Sequence, residues 1–336
     1  MNGEPTVSVV IPTYDRPTFL EGAIDTVLQQ TYDDLKMIVV DDGSETDYAR
    51  ATVNEYDNAP VRLVEHDENR GLSAARNTGI RNARGSYIAF LDDDDRWHEQ
   101  KLKRQVAVLE SDPDVGLVSC YLASVSPGGE ILRCEKSKPS GDLSETIFRK
   151  NVIGTPSRVL IRAACLEAVG TFDEELPTKQ DWDLYIRICR AWRVRCLKEV
   201  LCFRTVHESM SSDPADAERD LMRIRERYRE EIETCGMWDR SMAAYHRKVG
   251  VTYLSAGDRK TGKAHLRRVL EYERSVGSVI MYLLGLVPHQ GFRGIVRTKR
   301  AVERSLHSCS ERIPSSSQSS QQTLLINNFL SENRDH

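Results

Sequence analysis

The amino-acid sequence predicts an α/β protein with a mainly parallel sheet flanked by helices, followed by a C-terminal α-helical extension. Over the first half of the 336-residue chain, short apolar segments alternate with segments of helical periodicity, which is typical of parallel strands joined by helical crossovers. Polar clusters follow several of the apolar segments, and ligands of open α/β sheets bind beyond the carboxyl ends of the strands. After about residue 212, charged helical segments replace the strand-like ones.

The first half of the sheet is predicted from four apolar segments. Val7–Ile11 is a short buried strand that ends at Pro12. Pro17 suits the first position of a helix, and the apolar residues after it recur at helical spacing. The remaining elements of this half are the strands Met37–Val40, Val61–Val64 and Tyr87–Leu91 and the helix Ser73–Ala83.

The rest of the chain contains two more predicted strands and then only helices. The strands are Val115–Val118 and Val159–Ile161, and a helix opens at Thr178–Leu184. In the extension, the predicted elements are a charged helix at Glu218–Glu231 and a helical hairpin at His246–Arg274 that turns at Gly257 and Asp258.

Four consecutive aspartates, Asp92 to Asp95, directly follow the fourth predicted strand. Neighbouring carboxylates repel and raise one another's pKa, so a folded protein keeps such a group for a cation or a function. Carboxylate oxygens suit Mg²⁺ or Mn²⁺, and these ions usually hold a phosphate-bearing ligand. The alternative is a solvated acidic turn that caps a helix beginning near Trp97.

Residues 276–304 suggest a contact with a membrane surface. An apolar stretch, residues 276–287, is too short to span a bilayer and precedes a basic segment. This order is typical of an interfacial anchor on anionic lipid, but a core helix followed by a solvated basic helix has the same pattern. Residues 306–336 are rich in Ser, Gln and Asn and are predicted to be a disordered tail.

Composition excludes some classes of function and bears on location. The formal net charge of −4 gives no general basic signal for nucleic-acid binding. The eight cysteines lack metal-ligand spacing and indicate reduced thiols, and no signal peptide is evident. We therefore expect a cytoplasmic protein, peripheral on the cytoplasmic face of the membrane if residues 276–304 bind lipid.

Four motifs in order resemble glycosyltransferase family 2 over residues 5–212. They are VVIPTYDR at Val9–Arg16, VDDGS at Val40–Ser44, NRGLSAARN at Asn69–Asn77 and FLDDDD at Phe90–Asp95. The resemblance implies a GT-A fold and an inverting transfer of a sugar from a nucleotide diphosphate donor. It also implies a catalytic domain at 5–212, with residues 213–305 as an accessory helical region.

The resemblance assigns several residues to the donor. Pro12, Thr13 and Tyr14 would shape the base pocket. Asp42 would accept a hydrogen bond from the base, commonly uracil in this family, so a UDP-sugar is the expected donor; the alternative for Asp42 is a turn cap. Arg76 would approach the nucleotide or its phosphates, since a guanidinium suits phosphate recognition, and a surface ion pair is the alternative.

The resemblance also maps a metal-binding D-x-D motif onto the aspartate run. Asp94 is the first candidate for direct contact with Mg²⁺ or Mn²⁺. Asp92 is either a second metal ligand or, like Asp93, a contact of the ribose, and Asp95 is expected to cap the next helix. His207 is a candidate ligand of the metal or the diphosphate, although a lone histidine is often structural.

The proton acceptor implied by the resemblance is Asp181, in the sequence Gln180–Asp183. An inverting transfer needs a carboxylate that deprotonates the acceptor hydroxyl; the alternative role of Asp181 is a helix N-cap. The expected function is metal-dependent transfer to a hydroxyl of a lipid-linked or surface glycan. A polyprenyl-phosphate sugar synthase and a non-catalytic nucleotide-sugar-binding scaffold remain alternatives.

Overall fold

The computed structural model describes residues 6–135, 139–206 and 213–286. Its strands are β1 (Val7–Thr13), β2 (Leu35–Asp41), β3 (Val61–Glu65), β4 (Tyr87–Phe90), β5 (Asp95–Trp97), β6 (Val115–Val125), β7 (Ile131–Glu135), β8 (Leu160–Arg162) and β9 (Arg193–Thr205). Its helices are α1 (Pro17–Leu28), α2 (Tyr48–Asn54), α3 (Leu72–Asn82), α4 (Lys101–Ser111), α5 (Ala163–Val169), α6 (Gln180–Ala191), α7 (Pro214–Arg227), α8 (Arg229–Thr234), α9 (Trp238–Ala256), α10 (Arg259–Tyr272) and α11 (Val276–Leu286).

The described strands form one sheet in the order β3-β2-β1-β4-β8-β6-β9-β5, with β7 paired to β6. The strands β3, β2, β1 and β4 are mutually parallel, and β6 is parallel to β9. The antiparallel pairs are β4 with β8, β6 with β8, and β5 with β9. The predicted α/β class with a mainly parallel sheet is confirmed, as is the helical C-terminal extension.

The register of the central strands brings their carboxyl ends into line. Thr13 at the end of β1 lies opposite Asp41 at the end of β2. On the other side of β1, Val10 lies opposite Phe90 in β4. Three residues after Val10 and three residues after Phe90, the same alignment brings Asp93 next to Thr13. One register therefore gathers acidic residues from β2 and from the segment after β4 around the end of β1.

The core of this part of the protein is the continuous apolar face of β1, β2 and β4. All seven residues of β1 are buried, as expected for a strand of a parallel sheet covered on both faces. Helix α3 lies close against β1 because residue 79 is a glycine: a Cβ there would come 2.1 Å from Cγ1 of Val10. This close approach fixes the position of α3 relative to the strand ends.

Several elements differ from the sequence prediction. The charged helix predicted at Glu218–Glu231 is divided at Tyr228 into α7 and α8. The segment after the aspartates forms the short strand β5, and α4 begins only at Lys101, with Gln100 at its N-cap. The helix predicted near Trp97 was therefore wrong. The strands β7 and β9 were not predicted.

The chain divides into two compact units. One comprises residues up to 126 with 133–144 and 151–206, and the other comprises 127–132, 145–150 and the described residues from 213 onward. The predicted hairpin in the second unit is confirmed: Gly257 ends α9 with φ +98°, and the side chain of Asp258 accepts a hydrogen bond from the amide of Thr261. Along the described part of the chain, no helix is both long and apolar enough to cross a membrane.

A buried pair of histidines joins three helices of the second unit. Nδ1 of His246 in α9 lies 3.0 Å from Nδ1 of His265 in α10. Nε2 of His265 lies 3.3 Å from Oε1 of Glu218 in α7, so it carries the proton that the carboxylate accepts. Nδ1 of His265 must then accept, and Nδ1 of His246 donates. Only one proton fits between the two Nδ1 atoms, so the two rings cannot both be charged in this arrangement.

We expect the helical unit to lose stability as the pH falls from about 6.5 towards 4. Burial, followed by the charges of His265, Arg268 and Arg225, lowers the pKa of His246 to about 4, whereas an unfolded histidine titrates near pH 6.5. Between these two pH values the unfolded state binds more protons than the folded state. The contribution of His246 to stability is therefore complete above pH 6.5 and is lost progressively as the pH falls towards 4.

The variant His246→Gln tests this pH dependence because it removes the titration while keeping a polar side chain. The thermal midpoint of the wild-type protein should fall more steeply with decreasing pH than that of the variant, by about 3 °C or more at pH 5. Equal slopes for the two proteins would contradict the assignment.

Candidate functional site

The candidate site lies at the carboxyl ends of β1, β2 and β4. The hydroxyl of Thr13 donates to Oδ2 of Asp93 at 2.8 Å and lies 2.6 Å from the hydroxyl of Tyr48. Asp15 follows with φ +49°, a conformation that is uncommon outside glycine. Its amide donates to the hydroxyl of Ser44, which in turn donates to Asp41. These contacts hold the loops after β1 and β2 together.

Two arginines form ion pairs with the first three aspartates of the run. Nη2 of Arg76 donates to Oδ1 of Asp92 at 2.5 Å. Nη1 of Arg16 donates to Oδ1 of Asp93 at 3.1 Å and to Oδ2 of Asp94 at 2.8 Å. Burial raises the pKa of Asp93 to about 6, against the opposing effects of the Thr13 hydrogen bond and the Arg16 charge. The run is therefore a group of partly buried carboxylates that already bind cationic side chains.

Asp95 does not cap a helix, which corrects the expectation from the sequence. It begins β5 opposite Arg204 of β9 and is buried. Burial and then the charges of Asp92 and Asp94 raise its pKa well above the usual range. The run changes from loop to strand at this residue, so the carboxyl of Asp95 turns into the protein while Asp92 and Asp94 keep partial exposure.

Arg76 is held from several sides and still has an unused donor. Its side chain is only 4% exposed, and its guanidinium lies 5.4 Å from the centre of the Phe172 ring. Its Nε is buried and has no hydrogen-bond partner among the described residues. A buried guanidinium N–H without an acceptor is costly, so this atom suits an anionic ligand. Arg76 does form an ion pair, with Asp92, but its side chain is buried and not at the surface.

Asp42 is buried and holds the loop that precedes α3. Its Oδ1 accepts from the amide of Arg70 at 3.0 Å and lies 2.7 Å from Nδ1 of His66. Its Oδ2 accepts from the amide of Gly71 at 2.8 Å. These contacts fix the conformation of Gly71, whose φ of +92° requires glycine. Asp42 therefore organises the start of α3, and its role towards a base remains a prediction.

Asp181 lies in the first turn of α6 and is half-buried. Its Oδ2 accepts from the side-chain amide of Asn151 at 2.8 Å, and its Oδ1 accepts from the amide of Trp182 at 2.8 Å. Lys179, two residues earlier, has φ +64°. This left-handed backbone conformation sets the direction in which α6 begins. The helix N-cap is Lys179, so the capping alternative for Asp181 is wrong.

The electrostatic environment of Asp181 links it to the aspartate run. Burial raises its pKa, the amide of Trp182 lowers it, and then Arg76 lowers it and Asp92 raises it. These charges act on Asp181 although they lie about ninety to a hundred residues earlier in the sequence. A carboxylate with a raised pKa beside a cation-binding group is the arrangement expected of a general base.

The structure adds residues that sequence reasoning missed. The side-chain amide of Asn77 donates to the carbonyl of Phe172 at 2.8 Å, and the amide of Phe172 donates back at 3.0 Å. This reciprocal pair ties α3 to the segment before α6. The hydroxyl of Tyr185 is buried without a partner among the described residues, one turn after Asp181. No local pattern marks these residues, although Asn77 closes the third motif.

The remaining predicted residues differ in their accessibility. Pro12 is buried within β1, Thr13 is committed to Asp93, and Tyr14 is 41% exposed and available to a ligand. His207 lies outside the described residues, so its predicted role cannot be compared with a position. The tryptophans beside the two acidic motifs, Trp97 and Trp182, are both buried in the core.

A divalent cation fits the donor chemistry of the aspartate run. The part of the chain that the structure describes contains no ready group of three His, Cys, Asp or Glu side chains that could hold a metal ion. Mg²⁺ usually needs only one or two protein carboxylates, because substrate phosphates and water complete its coordination. Asp92 and Asp94 supply such oxygens, and the guanidinium between Asp93 and Asp94 already occupies a cation position.

Comparisons with known proteins agree on one family. A family model described as "Glycosyl transferase family 2" matches residues 8–170. An uncharacterized glycosyltransferase of Rickettsia prowazekii is 30% identical over 218 residues, which cover 63% of this chain and 67% of the relative. The four motifs between Val9 and Asp95 lie within the region matched by the family model, and the segment Gln180–Asp183 lies beyond it.

Two solved structures share the fold. A mannosyltransferase from Pyrobaculum calidifontis in complex with GDP-Man and Mn²⁺ has a TM-score of 0.58 and 20% identity, covering 93% of this chain and 89% of its own. Residues 1–349 of S. aureus TarS in complex with UDP-GlcNAc have a TM-score of 0.53 and 18% identity, covering 91% and 93%. The fold is therefore of the GT-A type that the resemblance implied.

Proposed function

The chain belongs to glycosyltransferase family 2, and we propose that it is a metal-dependent, inverting enzyme that transfers a sugar from a UDP-sugar to a hydroxyl of a lipid-linked or surface glycan. The observation that carries this proposal is the placement of Asp181, which Asn151 and the amide of Trp182 hold at the start of α6. Burial raises its pKa, and Arg76 and Asp92 at the strand ends are near enough to act on it. A proton acceptor, an anion-binding arginine and a cation-binding carboxylate are the three groups such a transfer needs.

The donor assignment has support from the fold relatives and from residue chemistry. One structural neighbour was solved with UDP-GlcNAc and another with GDP-Man and Mn²⁺, so a nucleotide sugar is the donor class. We assign Pro12, Thr13 and Tyr14 to the base pocket, with Tyr14 as the exposed aromatic ring. Asp42 retains lone pairs beyond its contacts with His66 and two backbone amides, and we assign one to the base N–H.

The phosphate side of the donor site is assigned to Arg76 and the aspartate run. Arg76 would bind the diphosphate through its unpartnered Nε while Nη2 keeps its contact with Asp92. Asp94 and Asp92 would hold Mg²⁺ or Mn²⁺, Asp93 would support the ribose side, and His207 remains a candidate ligand. When bound, the cation would neutralise the charge of the leaving diphosphate.

The residues of α6 perform the proton transfer in this mechanism. Asp181 takes the proton of the acceptor hydroxyl as that oxygen forms a bond to the anomeric carbon, and the bond from this carbon to the diphosphate oxygen breaks on the opposite face. Asn151 and the amide of Trp182 orient the carboxylate. Burial raises the pKa of Asp181, which makes its carboxylate a stronger base than that of an exposed aspartate.

We propose that residues 5–212 form the catalytic domain and that 213–305 form an accessory region. Two alternatives remain testable. A polyprenyl-phosphate acceptor is already ionised and needs little help from a base. A non-catalytic scaffold would bind the donor without turnover. Binding alone does not require a buried carboxylate with a raised pKa such as Asp181.

The variant Asp181→Asn should lose about a thousandfold or more in kcat for transfer to a hydroxyl acceptor, because the amide cannot accept the proton. Calorimetric affinity for the donor should change little, since the side-chain volume and the Asn151 neighbour are kept. Activity is measured with UDP-sugars and membrane lipid extracts, with Glu175→Gln, an exposed carboxylate shortly before α6, as the control.

Retained transfer in Asp181→Asn would contradict the base assignment and favour a lipid-phosphate acceptor. If the wild-type protein binds a nucleotide sugar but turns over with no acceptor, the scaffold alternative gains. A loss of donor binding in Asp181→Asn would show that the residue supports the fold of the site.

We also propose that α11 rests on an anionic membrane surface at the cytoplasmic face. The exposed fractions of Val276, Val279, Ile280 and Leu283 are 78%, 44%, 50% and 53%, and their spacing places them on one side of the helix. The opposite side packs inward through Ser278 and Tyr282. The following sequence to residue 304 carries Arg293, Arg297, Lys299, Arg300 and Arg304, which favours anionic lipid.

The triple variant Val279→Gln, Ile280→Gln and Leu283→Gln should no longer float with vesicles that contain phosphatidylglycerol, because the apolar face is lost. Wild-type protein should float with these vesicles and only weakly with neutral phosphatidylcholine vesicles. Ile131→Gln is the matched control, since Ile131 is equally exposed, at 51%, outside α11. Equal flotation of the triple variant and the wild type would contradict the membrane assignment.

A further inference from the structure

Arg16 lies between two carboxylates of the aspartate run. It stands between the end of β1 and the first residue of α1, Pro17. A single atom, Nη1, donates to Oδ1 of Asp93 at 3.1 Å and to Oδ2 of Asp94 at 2.8 Å. One nitrogen therefore bridges the two carboxylates and holds them close together.

The carboxyl group of Asp93 and the backbone of Asp94 are held independently of Arg16. The other oxygen of Asp93 accepts from Thr13 at 2.8 Å, and the carbonyl of Asp94 accepts from the hydroxyl of Thr205 at 2.6 Å. A divalent cation would contact such oxygens at about 2.0–2.2 Å. A nitrogen about 3 Å from both oxygens fills the space between them, so Nη1 and a cation bound to these atoms exclude one another.

The two arginines of the site differ in their freedom to move. The side chain of Arg16 is 47% exposed and that of Arg76 is 4% exposed. Arg16 can therefore move into solvent, where its guanidinium is readily hydrated, when another cation takes over its charge beside Asp93 and Asp94. Arg76 is confined by Phe172 and has no such route.

We propose that Arg16 is a positioning residue that holds Asp93 and Asp94 in place as a tethered cation and gives up its contact with Asp94 when a divalent ion binds that carboxylate. This inference rests on the proposed function, because it needs the aspartate run to be the metal site. Before the ion arrives, Arg16 lowers the repulsion between the two carboxylates. Because the ion must displace Arg16 from Asp94, this exchange also sets the affinity for the ion.

The variant Arg16→Gln should bind Mn²⁺ about tenfold more tightly than the wild type in the presence of UDP, since the ion no longer displaces a charged hydrogen-bond donor. Free Mn²⁺ is measured by electron paramagnetic resonance at about pH 8, where the carboxylates are ionised. Without metal, in EDTA, the thermal midpoint of Arg16→Gln should fall, because Asp93 and Asp94 repel one another. Added Mn²⁺ should restore it.

Two further variants separate this role from a general change of charge. Arg50→Gln removes the same charge from the exposed pair with Glu65 and should leave Mn²⁺ affinity unchanged. Arg16→Lys keeps a cation and should bind Mn²⁺ with nearly wild-type affinity. Unchanged or weaker Mn²⁺ binding by Arg16→Gln would overturn the inference, whereas a wild-type protein that binds no Mn²⁺ with UDP would overturn the metal site itself.

Discussion

The packing of several carboxylates at the end of one strand is the constraint on which the rest of the site depends. Asp93 and Asp95 are buried and Asp92 and Asp94 are partly so, and buried carboxylates need cations or donors close to them. Within the described residues, Thr13, Arg16 and Arg76 supply these partners to Asp92, Asp93 and Asp94. The end of β1, the start of α1 and the helix α3 must therefore converge on this strand end.

Two features of α3 place Arg76 beside the aspartates: the position where the helix begins and its close packing on β1. The helix begins at Gly71, which Asp42 holds through backbone hydrogen bonds, and Gly79 allows the helix to lie directly on β1. Asn77 then ties the helix to Phe172, so the segment leading to Asp181 is fixed by the same helix. The cation-binding carboxylates and the proposed base are thus connected through one short helix.

Much of this arrangement could be predicted from the sequence, because β1, β2 and β4 are continuous apolar segments and the polar motifs follow them directly. The strand β9 was missed because Arg193–Thr205 is mixed in polarity and only partly buried, and β5 because it is three residues long. The contacts of Asp42 with His66 and of Asn77 with Phe172 join residues distant in the sequence. No local pattern encodes such pairs, since they depend on the register of the sheet.

A crystal structure of the protein with Mn²⁺ and UDP, recorded at a wavelength where manganese scatters anomalously, tests the central claim most directly. We predict an anomalous peak in contact with Asp94 or Asp92, shared with the diphosphate, with Arg76 bound to a phosphate oxygen. UDP bound elsewhere in the protein, or bound at the strand ends with no manganese at the aspartate run, would contradict the account.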